Sequence, residues 1–85
     1  MRILFNFADG HPGLLDATEA FISTPEALDG VIEGFPDGCE AVLIVANGDA
    51  REMVALTDYD SACDFLEAAY IDGYADFRDL CLVPD

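Results

Sequence analysis

The chain has 85 residues, with 18 acids, three arginines, no lysine and one histidine, giving a formal charge of -15, yet 53% of its residues are hydrophobic. So much apolar content excludes a disordered acidic tail, and the length allows one small domain with a marginal core. Nucleic acid and anionic membrane surfaces are excluded as direct partners, because lysine and arginine hold both.

Arg2–Phe7 (RILFNF) is rich in β-branched and aromatic residues and is expected as a strand. The Asp9-Gly10-His11-Pro12-Gly13 run is a dense turn signal. Leu14–Ser23 alternates, with Ala17, Glu19, Phe21 and Ser23 opposed to Thr18, Ala20 and Ile22, and is expected as one strand closing a hairpin. Thr24-Pro25-Glu26 is a helix start: a capping hydroxyl, a proline at the first helical position and an acid at the positive end of the dipole. The helix would carry Ala27, Leu28, Val31 and Ile32 inward and end at Gly34–Gly38.

Cys39–Ala46 (CEAVLIVA) is the clearest strand, apolar enough for a central position. Asn47-Gly48 then signals a hairpin, and Arg51–Thr57 is the return strand. Asp58 or Asp60 caps a second helix that carries Ala62, Phe65, Leu66, Ala69 and Tyr70 and stops at Ile71-Asp72-Gly73. Leu80–Val83 is expected as a last short strand. Shifted by 35 residues, Pro25–Gly38 lies over Asp60–Gly73, pairing Phe35 with Tyr70 and Gly38 with Gly73. The expected fold is therefore a single α+β domain over residues 1–85. It is a ββα-ββα-β pseudo-repeat: a mostly antiparallel sheet of about five strands with two helices.

The sequence proposes no catalytic group. His11 lies in a Gly/Pro turn without a nearby nucleophile, and a triad needs both the nucleophile and an orienting third group. A calcium loop begun at Asp58 fails at Ala62 and Ala69, where it needs acids. No phosphate loop or GxGxxG occurs. Cys39, Cys63 and Cys81 have neither paired nor metal-finger spacing; they read as small buried hydrophobes, and unpaired thiols point to a reducing cytoplasm. The short apolar start before Asp9 lacks the length of a signal peptide or membrane span. No enzyme, cofactor or metal is expected.

The acids carry the informative pattern. Asp60, Asp64 and Glu67 fall at i, i+4 and i+7, on one helix face, with Asp58 before them and Asp72, Asp76 and Asp79 continuing beyond. Glu26, Asp29 and Glu33 form a corresponding row on the first expected helix. A charged outer face is ordinary for a soluble helix, and an acidic surface is also an adaptation to high salt. The first does not explain a complete lack of lysine; the second goes with little lysine but fits the rich apolar content and the three cysteines poorly. Carboxylates one helical turn apart stand about 5–6 Å from each other. Phosphates follow one another at about 3.4 Å of axial rise along a DNA strand. Two such rows on a rigid domain can fill a groove built for phosphate.

In size, lysine-free acidity and these stripes, the chain resembles the small acidic DNA-mimic inhibitors of phages and mobile elements, and is most similar to an anti-CRISPR protein against a type I, possibly type I-C, system. The resemblance spans the whole chain as a general character and includes no diagnostic motif. It implies a monomer in the cytoplasm of a bacterial host. Its carboxylates would block the PAM-reading subunit of a CRISPR surveillance complex, excluding target DNA. The runner-up is an acidic immunity protein or antitoxin that caps a basic nuclease toxin; a third reading is a domain of a salt-adapted proteome.

Overall fold

Among the described residues, six strands run in chain order as β1 (Arg2–Asn6), β2 (Pro12–Asp16), β3 (Glu19–Ser23), β4 (Ala41–Asn47), β5 (Ala50–Leu56) and β6 (Tyr74–Asp76). One helix, α1 (Tyr59–Asp72), lies between β5 and β6, and a 3-10 turn (Arg78–Leu80) follows β6. The computed structural model describes residues 1–7, 10–28, 30 and 37–82. The strands form two three-stranded sheets, ordered β2-β1-β6 and β3-β4-β5. All pairings are antiparallel except β1 with β6, which run parallel.

The expected single sheet with two helices is overturned at three places. First, Leu14–Ser23 is two strands, because the chain changes sheets at Ala17-Thr18. The amide of Ala17 still donates to the Met1 carbonyl at 2.6 Å, whereas that of Thr18 donates to Ala46 at 2.8 Å. The Thr18 hydroxyl and the Asn47 side-chain amide reinforce the transfer with bonds to the Ala46 and Asp16 carbonyls. Buried Ala17 and Ala20 are three residues apart, so the inward phase slips by one at the crossover.

Second, the helix expected from Thr24 is only a hydrogen-bonded turn over the described residues 25–28. The Thr24 hydroxyl accepts from the Ala27 amide at 3.2 Å, and the Leu28 amide reaches the Thr24 and Pro25 carbonyls. Gly30 then has φ +86°, the left-handed conformation that ends a helix. Asp29 and residues 31–36, the remainder of the expected helix, lie outside the described residues, among which α1 is the one α-helix.

Third, the expected closing strand is a 3-10 turn followed by a single bridge from Cys81 to Leu56, with Val83 outside the described residues. The strand that does close the first sheet is β6, in a segment expected as loop. With β1 and β2 in one sheet and β4 and β5 in the other, the pseudo-repeat does not hold.

Other expectations are met. The β4–β5 hairpin turns on Gly48-Asp49, with Asn47 opposite Ala50 and Gly48 at φ +61°. Helix α1 starts at the Asp58 cap and stops at Gly73, whose φ of +79° is the left-handed cap. Both sheets share one core. Ile3 and Phe5 come from the first sheet, Ala20, Leu43, Val45 and Leu56 from the second, Ala62 and Ala69 from α1, and Phe77 from the segment after β6. Phe65 of α1 meets Phe77 edge to face at 5.9 Å, and the Tyr70 hydroxyl donates to the Ala20 carbonyl at 2.7 Å, fixing the helix on β3. Cys81 is one of the expected buried thiols: its Sγ accepts from the Asn6 amide and donates to the Phe77 carbonyl, and burial raises its pKa. Cys39 and Cys63 are half-buried.

Candidate functional site

Helix α1 forms for local reasons before any partner is considered. One carboxylate oxygen of Asp58 accepts from the amides of Asp60 at 3.0 Å and Ser61 at 3.3 Å, and the other from the Ser61 hydroxyl at 3.2 Å. This satisfies donors that the first turn leaves open. Asp60 sits in that first turn, where the helix dipole favours an acid.

At about 100° per residue, Asp60, Asp64 and Glu67 occupy an arc of about 60°. Buried Ala62 and Ala69 lie on the opposite side of the helix, and all three acids are exposed. The row therefore points straight away from the core. Ile71 continues the same arc and is 73% exposed, the largest exposure among the large hydrophobic side chains described. No basic residue occupies the last turn. The Tyr59 phenol at the start of the helix is held above its ordinary pKa, chiefly by a side-chain hydrogen bond with Cys63.

The remaining expected site residues separate into distinct roles. Asp58 is a cap, with its oxygens turned to the helix start. Asp72 is exposed but lies about a third of a turn from the row. Asp76 is on β6 and is neutralised: both its oxygens accept from the Arg78 guanidinium, the shortest bond being 2.9 Å, and the Arg78 amide donates to it at 3.0 Å. The side-chain bond from Arg78 is the main reason the Asp76 carboxyl sits below the ordinary carboxylate range. Asp79, in the 3-10 turn, and Glu26, in the turn after Thr24, are exposed. Asp29 and Glu33 lie outside the described residues, so of the first expected row only Glu26 has a described position.

The structure thus concentrates the expected site into Asp60, Asp64 and Glu67, with Asp72 and Asp79 nearby in sequence and Asp58 and Asp76 engaged in the fold. Sequence reasoning missed Ile71, although its position seven residues after Asp64 was the signal that it shares the acidic face. An open depression of about 310 Å³ beside the Asp58 cap is lined by Glu40, Thr57, Asp58, Tyr59 and Asp60. Among the described residues, no three His, Cys, Asp or Glu side chains gather as a metal site, and no helix is long and apolar enough to cross a membrane.

No family model matches the chain, and neither a curated protein nor a solved structure does.

Proposed function

We propose that this protein is a non-enzymatic inhibitor that presents carboxylates in place of DNA phosphates to a basic, phosphate-binding protein surface. The observation that carries the reading is the exposed row of Asp60, Asp64 and Glu67 on a helix capped at both ends and pinned to the core. A rigid row loses little conformational entropy on docking. Asp64, Glu67 and Asp72 are also held without a base to offset them on the helix. Between residues 58 and 79 there are seven acids and one base, Arg78, which Asp76 already engages. Asp72 stands at the negative end of the helix dipole, where an acid is unfavourable.

Within this reading the target is the PAM-reading subunit of a type I CRISPR complex in a bacterial cytoplasm, as the resemblance implies. The test is displacement of a labelled target duplex from a purified type I-C surveillance complex. The wild-type chain displaces it, less well as salt rises. The variant Asp60→Asn/Asp64→Asn/Glu67→Gln fails to displace it while keeping the wild-type circular dichroism spectrum. Equal displacement by that variant refutes the acidic row as the binding element.

One observation favours the immunity-protein reading. Ile71 ends the acidic row as an exposed apolar anchor, the kind of residue that forms a desolvated, salt-resistant hot spot against a single partner. Binding to a basic nuclease that persists in high salt and is lost in Ile71→Ala supports that alternative.

A further inference from the structure

The outer face of the β3-β4-β5 sheet has a composition unlike the rest of this acidic chain. Register places three cross-strand rows on it, Glu19–Ala46–Arg51, Phe21–Ile44–Met53 and Ser23–Val42–Ala55; Val42 is 1% exposed between half-buried Ser23 and Ala55, so the open part of the face is the first two rows. These residues point away from the shared core, which takes Ala20, Ala41, Leu43, Val45, Val54 and Leu56 from the same strands. Phe21 and Met53 stand 44% and 43% exposed on either side of Ile44, which is only 4% exposed beneath them. The nine positions carry one acid and one base, so the face is neutral in a chain of net charge -15. Arg51 makes no hydrogen bond or ion pair among the described residues, despite 18 acids in the sequence. Glu19 is two strands away in the same row, about 9–10 Å across the sheet.

We infer that this face is a self-association surface, on which two copies of the chain pack sheet to sheet about a two-fold axis parallel to β4. The charges select both the occupant and the axis. Rotation about an axis along β4 exchanges the two flanks of the sheet. It sets each Glu19 opposite the other copy's Arg51 and each Phe21 opposite the other copy's Met53, with Ile44 on the axis. An axis along the Phe21–Ile44–Met53 row would instead set Glu19 over Ser23 and Arg51 over Ala55, leaving both charges without an opposite charge. Sheets packed face to face lie about 10 Å apart, within the combined reach of a glutamate and an arginine. The other contact made twice is thioether against aromatic ring, a favourable pairing. An isologous interface requires this self-complementarity.

A dimer built this way leaves the α1 acids on its two far sides, because α1 packs on the inner side of the same sheet. The inference replaces the expected monomer and does not depend on what the acidic row binds.

Sedimentation equilibrium on the full chain tests it. The wild type gives a species of twice the 9.2 kDa chain mass at concentrations up to about 1 mM. Arg51→Glu and Glu19→Arg each weaken the dimer about tenfold or more by facing like charges, and the double swap Glu19→Arg/Arg51→Glu restores it. Thermal melts confirm that each variant is folded; Met53→Lys, which leaves both charged residues in place, must also give a monomer. A wild type that stays monomeric, as it would if another protein covers this face, overturns the proposal. So does a dimer that survives either single swap, or a double swap that remains monomeric.

Discussion

The outward face of α1 and the outer face of the β3-β4-β5 sheet lie on opposite sides of one core and differ in nearly every respect. The helix face carries Asp60, Asp64 and Glu67 in a row, with Ile71 at its end and no base. The sheet face is apolar and neutral, with Phe21, Ile44 and Met53 in the row beside a single acid and a single base. A charge of -15 spread evenly would act mainly as a solubility coat. The ordered acidic row and the neutral sheet face are local departures from such a coat, and they give the molecule two surfaces suited to different contacts.

Both faces depend on the core between them, and the largest expected effect comes from removing that common support. Phe77 is fully buried and receives Phe65 of α1 edge to face. Phe77→Ala should destabilise the domain by about 3–5 kcal/mol, enough to unfold much of so small a protein, as read by urea denaturation. A loss below about 1 kcal/mol would mean that helix and sheets are held together elsewhere.

The next effect distinguishes acids that build the helix from acids that face a partner. Asp58→Ala removes the cap and should cost about 1 kcal/mol in the same assay. Asp58→Asn keeps a capping oxygen, removes the charge and should stay within a few tenths of a kcal/mol of wild type. If Asn is as damaging as Ala, the charge of Asp58 matters to the fold and the separation of roles fails.

These roles show where the sequence was legible. Local signals were read correctly wherever a single residue decides the outcome. Asp58 caps α1, Gly73 ends it, and Gly48 allows the tight hairpin. The fold beyond them depends on non-local choices. Nothing in Leu14–Ser23 announces a change of sheet except the slipped spacing of Ala17 and Ala20, which resembles ordinary alternation until the partner strands are known. Thr24 and Pro25 signalled a helix, but the described residues after them form only a hydrogen-bonded turn ahead of Gly30, which takes a left-handed conformation. β6 was illegible, because Tyr-Ala-Asp has no strand pattern of its own and is recruited by the open edge of β1. In the candidate site, helical spacing placed Asp60, Asp64 and Glu67 correctly. The role of Asp76 was invisible because a carboxylate two residues from an arginine shows its ion pair only once the turn between them is built.

A smaller effect of opposite sign is expected on the acidic row. Asp64 and Glu67 have no base on α1 to offset them. Asp64→Asn and Glu67→Gln should each stabilise the folded chain by about 0.2–0.5 kcal/mol at low salt, and less at high salt. Asp60→Asn should not share that gain, since its charge is favourable beside the helix start. Uniform stabilisation by all three would show that general repulsion, rather than position on the helix, governs the row.

The smallest effect is a pH dependence, and its direction distinguishes Asp76 from the acids around it. Its carboxyl lies below the ordinary value of 3.8, first because the Arg78 side chain donates to it and then because the Arg78 amide does. A carboxyl lowered in the folded state contributes stability above its unfolded pKa, and that contribution disappears as pH falls through the folded value. The loss therefore begins near pH 4 and grows below it. Acidification also relieves repulsion among the other carboxylates, which acts in the opposite direction. Comparing Asp76→Asn with wild type isolates the single group. The variant should melt slightly lower at about pH 6, and the gap should narrow as pH falls below about 4 and Asp76 takes up its proton. A gap that is constant over this range would mean that the Asp76–Arg78 pair contributes through shape and amide hydrogen bonding alone. Asp76 would then be a purely geometric element of the turn that leads from β6 to Phe77.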